Sequence, residues 1–344
     1  MKIEQIKEIA NAVLYEGYLL YPYRQSAIKN RQRWTFGVIY PREYSEANGG
    51  IEPWSMQTEC LVRGSANSLL DVHVRFLHLL VRSASTPAQA ETDAANAREW
   101  GLAARMANEP LEEGVEREVE APALPLAKLA AHPEVVELAF PARRLEEAVA
   151  GEANAAVVRE QQALAGVITI AAEQLSADLF KVSVRIENTT PGTAGIPNQG
   201  NRIMLQSFVS THTILRAQHG AFISLIDTPT DVQEAAKGCK NERTWPVLVG
   251  NEGEYDAILS SPIILYDYPQ IAPESPGPLF DGTEIDEILT LRIMTLTDEE
   301  KEQMRSDERA REILERTEAL TPEQFMKLHG VIRDLRPLRE GDGL

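Results

Sequence analysis

Hydrophobic and polar residues alternate one by one in several parts of this chain, which is the pattern of strands with one buried face. The clearest case is 178–188, whose apolar positions are Phe180, Val182, Val184 and Ile186. Residues 157–173 precede it across a short Gln-Leu-Ser-Ala link, so the two stretches predict an antiparallel hairpin. Residues 69–81 alternate too, with Val72, Val74 and Phe76 on one face and Asp71, His73 and Arg75 on the other.

Shorter apolar runs predict further strands. They are bounded by Gly, Pro, Asn or Ser, which interrupt regular structure. A second hairpin is predicted from two of these runs, with its turn at Gln218-His219-Gly220. The predicted strands of this group are 53–63, 115–121, 204–215, 221–226, 244–249 and 258–266.

Helical spacing of apolar residues appears mainly at the two ends of the chain. Residues 3–14 predict an amphipathic first helix, and the segment after 291 predicts solvated helices that begin at Thr297 and Thr321. Ala- and Glu-rich residues 86–114 predict a helical or mobile excursion. Shorter helices are predicted at 125–131 and 143–156. We therefore predict an α+β fold with a mostly antiparallel sheet, a core over 1–290 and a C-terminal helical extension over 291–344.

The charge of the chain is large and uneven. The 344 residues carry a formal charge of −18, which opposes binding to nucleic acids and to anionic membranes. Residues 1–42 depart from this, with seven Lys and Arg against three Glu. The N-terminal segment is thus a basic part of an acidic protein.

The two cysteines indicate a reducing compartment. Cys60 and Cys239 are far apart in sequence and form no Cys-x-x-Cys pair, so a disulfide framework or a cysteine-based metal site is not expected. No run of about 18 apolar residues predicts a membrane span, and the N-terminus does not have the pattern of a signal peptide. We expect a cytoplasmic protein.

A segment rich in aromatic and basic residues, 15–42, is the first candidate for a binding site. Arg and Tyr together are enriched in protein interfaces, and they also stack on single-stranded bases. A third interpretation is an aromatic strand pair whose Arg side chains cover apolar surface. Under the protein-docking interpretation, the contact residues are Tyr21, Tyr23, Arg24, Lys29, Arg31, Arg33 and Trp34.

The second candidate is an acidic stretch in 260–295. Here a proline-rich connection leads from a predicted strand to a predicted helix whose first turn is acidic. Carboxylates at helix beginnings commonly satisfy free amides and the positive end of the helix dipole. Carboxylates also bind hard cations. The two histidines of the predicted strand 69–81, His73 and His78, are poorly spaced to bind one ion together. The carboxylates considered for a metal site are Asp267, Glu274, Asp281 and Glu284.

Common enzyme motifs do not occur in the sequence. It has no Walker loop, no Gly-x-Ser-x-Gly elbow, no His-Glu-x-x-His and no kinase signature. We therefore expect no cofactor and favour a non-catalytic role, although catalytic groups often converge from distant positions.

Three strings together resemble a known family. They are YEGYLLYPYRQSAIKNRQRWTFG, SSPIILYDYPQIAPESPGPLFDGTEIDEILTLRI and TPEQFMKLHG. They are similar to a family of uncharacterised bacterial proteins that resembles accessory proteins encoded beside high-affinity, oxygen-tolerant nickel–iron hydrogenases. The resemblance implies a partner among hydrogenase subunits or maturation factors, without assigning any catalytic residue. A non-catalytic assembly protein is the first hypothesis, and a metal-dependent hydrolase that uses the carboxylates of 267–287 is the alternative.

Overall fold

A computed structural model describes most of the predicted core. The described residues are 6–7, 9–11, 36–85, 111–148, 156–191 and 200–269, together with seven residues between 301 and 319. The chain divides into two compact units. The first comprises Met1–Tyr15 and Arg31–Pro269, and the second comprises Glu16–Asn30 and Gln270–Leu344.

Ten strands dominate the first unit. They are β1 (Ser55–Ser85), β2 (Leu111–Pro125), β3 (Glu134–Phe140), β4 (Arg143–Ala148), β5 (Ala156–Gln161), β6 (Leu164–Gln174), β7 (Leu179–Asn188), β8 (Val209–Ile223), β9 (Trp245–Leu248) and β10 (Ala257–Ser261). Three short α-helices accompany them: α1 (Arg42–Ala47), α2 (Leu126–Ala131) and α3 (Gln233–Lys237). Short 3-10 helices lie at Gly200–Gln206 and Thr230–Val232. Residues 6–7 and 9–11 are helical and are called the N-terminal helix below.

The strands form one antiparallel sheet around β1. The strand order is β3-β6-β7-β1-β8-β10-β9, while β2 and β5 also pair with β1 and β4 pairs with β5. β1 is 31 residues long, so successive parts of it pair with β7, β8, β2 and β5. This confirms the mostly antiparallel sheet that the alternation predicted.

One face of the sheet contains the main apolar core. Phe76, Phe180, Phe208 and Phe222 are all 1% exposed or less, and the rings of Phe76 and Phe208 lie 4.6 Å apart. Leu126 and Leu129 of α2 pack against the same core. The predicted alternation of β7 is confirmed, because its even positions from 180 to 186 are buried and the odd positions between them are partly exposed.

At two places where the sequence predicts that one strand ends and another begins, the structure has a bend within a continuous strand. Residues 55–63 of the first predicted strand and all of 69–81 belong to one strand, β1, whose ladder with β8 shifts register between Gly64 and Leu69. The predicted hairpin at 204–226 is wrong for the same reason. β8 continues through the predicted turn, where His219 has a positive φ of 58°. Ser68 Oγ of β1 donates to the His219 carbonyl over 2.5 Å. The tertiary pairing of the two bent strands therefore overrides a local turn signal.

Two helix assignments also differ from the structure. Residues 143–148 form β4, although 143–156 was predicted to be helical, because Arg144 and Glu147 make cross-strand ion pairs with Glu160 and Arg159 of β5. β2 begins at Leu111, so 111–114 is strand, and 86–110 lies outside the described residues. The short helix predicted at 125–131 is confirmed as α2.

The strand predicted at 258–266 ends early. β10 stops at Ser261 and is buried on both faces, but Ile264 and Tyr266 are 73% and 85% exposed. Among the helices of the described residues, none is long and apolar enough to cross a bilayer.

Candidate functional site

A row of polar side chains lies on the face of the sheet opposite the main core. In β1 this face carries Asp71, His73 and Arg75, and each is less than a tenth exposed. Arg75 lies opposite Glu118 of β2 and His212 of β8 in the strand register. Residues that face each other across neighbouring strands share one face of a sheet. Glu118, Arg75 and His212 therefore form a row across three strands.

The N-terminal helix contributes a fourth element to this row. Lys7 Nζ lies 2.7 Å from Glu118 Oε1 and 3.9 Å from Glu120 Oε1. His73 Nδ1 donates to the same Glu118 oxygen over 3.0 Å. Asn11 Oδ1 accepts a 2.6 Å hydrogen bond from Arg75 Nη2. We call Lys7, Asn11, His73, Arg75, Glu118 and Glu120 the anchor cluster.

Opposing effects act on the central carboxylate of the anchor cluster. Burial by itself raises the pKa of Glu118, but hydrogen bonds from Lys7 and His73 outweigh it and lower that pKa. Lys7 and Glu118 are each between a quarter and a third exposed, so their attraction is only partly screened by water. Glu118 therefore forms the shortest of the ion pairs that join the described residues of the helix to the sheet.

The anchor cluster also contains a possible set of metal ligands. Ligand atoms of His73, Glu118 and Glu120 all lie within 4.8 Å of one another, and imidazole with carboxylates suits several divalent metals. The Lys7 ammonium already lies against both carboxylates, at the distances given above. A cation would have to displace Lys7, so the observed geometry supports an ion pair and not a metal centre.

Apolar contacts hold the N-terminal helix on the sheet beside the anchor cluster. Ile6 and Ala10 are fully buried. They share an apolar cluster with Ile214, Val247, Val249, Ala257 and Leu259, which lie in or directly beside β8, β9 and β10. Burial of an Ile side chain stabilises by about 2 kcal/mol. This packing therefore adds to the ion pair and fixes the position of the helix on the sheet.

The chain returns to the same part of the sheet at residues 36–39. The amides of Ser210 and Thr211 donate to the carbonyls of Phe36 and Gly37, both over 3.0 Å, and Ile39 pairs with Phe208. Gly37 has a φ of +56°, and a Cβ there would lie 2.8 Å from Pro262 Cγ and from the Thr211 amide nitrogen. Glycine is thus required at the point where the chain rejoins the sheet.

A buried asparagine reinforces this return point. Asn188 is fully buried, and its Nδ2 donates to the carbonyls of Ile39 and Gln206, each over 2.9 Å. Its Oδ1 accepts from the Thr190 amide. Both ends of that side-chain amide therefore hold backbone in place.

The predicted partner-binding residues lie outside the described residues. These are Tyr21, Tyr23, Arg24, Lys29, Arg31, Arg33 and Trp34, so their role stays a prediction. The described part of the segment begins at Phe36. Its last basic residue, Arg42, stacks over Trp54 at 4.5 Å and pairs with Glu46 over 2.7 Å.

Of the four carboxylates considered for a metal, Asp267 is described. Its Oδ1 accepts from the Leu248 amide over 2.8 Å, and its Oδ2 accepts from Ser224 Oγ over 2.5 Å. Both oxygens therefore connect the loop after β10 to neighbouring strands. Glu274, Asp281 and Glu284 lie outside the described residues, so their convergence stays a prediction.

The two histidines of β1 lie on opposite faces of the sheet, as a spacing of five residues predicts for a strand. His78 is fully buried, donates from Nε2 to the Gln162 carbonyl and accepts at Nδ1 from Gln161, both over 3.0 Å. Burial lowers its pKa to about 4. His73 and His78 are therefore satisfied separately and share no ligand.

The anchor cluster was missed by sequence reasoning, although part of its signal was visible. The alternation of β1 placed His73 and Arg75 on one face. The Glu residues at alternate positions of β2 (Glu116, Glu118 and Glu120) gave a second signal. Nothing local showed that the N-terminal helix would cover both.

An experiment on the helix tests the anchoring described above. Ile6→Ala removes buried apolar surface, which costs about 2–4 kcal/mol at a core site. We expect the amides of residues 9–11 to lose most of their hydrogen-exchange protection while β6 and β7 keep theirs. Ile226→Ala is the matched control, because Ile226 is 56% exposed, and it should leave the protection of 9–11 unchanged. Equal protection in Ile6→Ala and the unaltered protein would show that the helix does not depend on this packing.

Comparison with protein-family models gives no match for this chain, and comparison with curated proteins gives none either.

Proposed function

We propose that this chain is a non-catalytic accessory protein that docks a partner protein through residues 15–42. The family resemblance suggests hydrogenase biogenesis as the setting, with a hydrogenase subunit or maturation factor as partner. The single observation that best supports docking is that the chain is attached to one region of the sheet both before this segment, at Asn11, and near the end of the segment, at Phe36–Gly37.

The first attachment is at Asn11, whose side chain accepts a hydrogen bond from Arg75 of β1. The second attachment is at Phe36–Gly37, near the end of the segment, whose carbonyls accept from the amides of Ser210 and Thr211 of β8. Arg75 and His212 face each other in the β1–β8 ladder, so both attachments lie near the same rung. Adjacent strands are about 5 Å apart, which places the two attachments on the order of 10 Å apart across the sheet.

The length between these attachments is far greater than the gap requires. Residues 12–35 could span roughly 80 Å if fully extended, at about 3.3 Å per residue. Long connections with neighbouring ends are often functional in compact domains. A segment rich in Tyr and Arg between two fixed points is consistent with a binding element carried by a rigid scaffold.

The charge of the segment suggests the chemistry of the partner. Residues 1–42 are net basic, whereas the whole chain carries −18. An acidic partner surface would be attracted by the segment and repelled by the remaining chain, which would restrict how the two proteins can approach. We therefore propose a partner with an acidic docking surface.

Co-purification from cells that express the tagged chain with its native partners tests this proposal. The variant Tyr23→Ala/Arg24→Ala/Arg31→Ala/Arg33→Ala removes one Tyr and three Arg from the segment. We expect at least about a tenfold loss of recovered partner, because truncation of Tyr and Arg anchors typically costs about 1 kcal/mol or more each.

A matched control changes one Tyr and three cations on the exposed surface of the described residues. The control is Tyr266→Ala/Lys128→Ala/Lys237→Ala/Lys240→Ala, and all four of these residues are exposed. It should recover the same partners as the unaltered chain. If the segment variant also recovers them all, residues 15–42 are not the docking surface.

We propose further that the protein works in the cytoplasm and completes an α+β fold with helices after residue 291. Two cysteines, one buried and one partly buried, without a disulfide in the described residues, support a reducing compartment. Helical conformation at six of the seven described residues between 301 and 319 supports the C-terminal helices.

A further inference from the structure

β4 is a short strand with one edge that stays unpaired within the described residues. Within the described part of the chain it pairs with β5, and no strand pairs with its opposite edge. All six of its residues are exposed, including Leu145 at 57%. An edge of this kind offers unpaired amides and carbonyls to another strand.

The sequence of β4 is complementary to itself when two copies run antiparallel. Residues 143–147 read Arg-Arg-Leu-Glu-Glu. If Leu145 faces Leu145 of a second copy, Arg143 faces Glu147 and Arg144 faces Glu146. Two-fold symmetry repeats both pairs, so the contact contains four opposite-charge pairs around one apolar pair.

Other registers of the same pairing are unfavourable. A shift of two residues in one direction places Arg144 opposite Arg144, and a shift in the other places Glu146 opposite Glu146. Like charges that face each other across a ladder are destabilising. The charge order therefore favours one register, centred on Leu145.

The order of charges along β4 differs from the pattern that usually prevents an edge strand from pairing with another chain. Protective charges, Lys above all, repel when one edge meets another copy of itself. Here the strand is electrically neutral, and self-pairing brings opposite charges together. Intramolecular ion pairs leave these side chains accessible. Arg144 contacts Glu160 of β5 at 3.1 Å and Glu146 of its own strand at 3.8 Å, and Glu147 contacts Arg159 at 2.7 Å, but Arg144, Glu146 and Glu147 remain 61%, 55% and 64% exposed.

We propose that two copies of this chain associate through antiparallel pairing of β4 with β4, with Leu145 on the two-fold axis. The occupant of the open edge is thus a second copy of the same protein. The contact is small, so the association belongs to the weak class, with a Kd on the order of tens of micromolar.

Charge reversal tests the proposal with the full chain. R143E/R144E makes the strand all acidic, and E146R/E147R makes it all basic. In sedimentation experiments at about 0.15 M salt, where charge repulsion beyond about 8 Å is screened, each variant alone should dimerise at least about tenfold more weakly than the unaltered chain. An equimolar mixture should regain an affinity within about threefold of it, because every reversed pair is then complementary again.

The basic variant separates specific pairing from general charge. E146R/E147R brings the charge of the chain closer to zero than −18, so general repulsion alone would strengthen association. The control E137R/E252R makes the same charge change at two exposed positions away from β4 and should not weaken the dimer. Circular dichroism and thermal unfolding confirm that each variant folds. Each variant also reverses one charge that pairs with β5, so unchanged hydrogen-exchange protection of β5 is required to show that β4 stays paired with it.

Three outcomes would overturn the proposal. The unaltered chain could stay monomeric at protein concentrations up to about ten times the expected Kd. The dimer could persist in both reversal variants, which would place its interface elsewhere. The mixture could stay monomeric although each variant folds, which would show that β4 does not pair with itself.

Discussion

Gly166→Ala is expected to lower the free energy of unfolding by about 3 kcal/mol, the upper part of the range for overpacking a core. A Cβ at Gly166 would lie 2.6 Å from Phe208 Cζ and 2.7 Å from the Glu187 carbonyl oxygen. The ring cannot move freely, because Phe208 is fully buried and its backbone pairs with Ile39. Urea unfolding followed by circular dichroism measures the change.

Two further variants show whether the ring causes the loss. Gly238→Ala is the control, since its Cβ would meet the Ala235 carbonyl oxygen at 3.1 Å at a short exposed helix end, and a change within about 1 kcal/mol is expected. Gly166→Ala/Phe208→Leu removes the ring atoms that clash. The loss in the double variant should be smaller than the sum of the two single losses. A strictly additive double variant would contradict the contact.

Lowering the pH from 7 to 5 is expected to destabilise the protein by about 2 kcal/mol for each of two buried histidines. Burial is the main cause that lowers the pKa of His78 and of His212 to about 4. The unfolded pKa of histidine is about 6.5. Between about pH 4 and 6.5 the unfolded chain thus binds more protons than the folded chain, and stability rises with pH in that window.

The hydrogen bonds of each histidine indicate the best replacement. His212 Nδ1 donates to the Ser210 carbonyl over 2.9 Å, which an asparagine amide can imitate, and His78 Nε2 donates to the Gln162 carbonyl, which a glutamine amide can imitate. We expect His212→Asn and His78→Gln each to reduce the slope of stability against pH by about one proton near pH 5 and by about half a proton near pH 6.5. Urea unfolding at several pH values measures these slopes, and unchanged slopes would show that neither histidine is responsible.

The sheet could be predicted from alternation because burial on one face leaves a period of two in the sequence. β7 shows this directly, and so does the polar face of β1. The bends in β1 and β8 could not be predicted, because Gly64 and His219 carry signals that are equally typical of reversing turns. Which outcome occurs depends on whether a partner strand continues alongside, and that partner is distant in sequence.

The strand conformation of β4 could not be predicted either, because it also depends on a partner strand. Its Arg, Leu, Glu and Ala residues have good helix propensity, which is worth only tenths of a kcal/mol for each residue. Pairing with β5 and cross-strand ion pairs to Glu160 and Arg159 outweigh that preference. The charge order that makes β4 complementary to itself was present in the sequence, but it had no meaning until the strand and its open edge were known.

The amino-acid sequence by itself determined a sheet-rich antiparallel fold, an amphipathic first helix and a basic aromatic segment on an acidic chain. These features follow from periodicity and composition, which can be read from residues that are close together in the sequence. The tertiary structure alone decided that Lys7 meets Glu118, that Asn11 and Gly37 attach near one rung of the sheet, and that β4 keeps a free edge within the described residues. Each depends on residues far apart in the chain, whose meeting is set by the packing of the whole sheet.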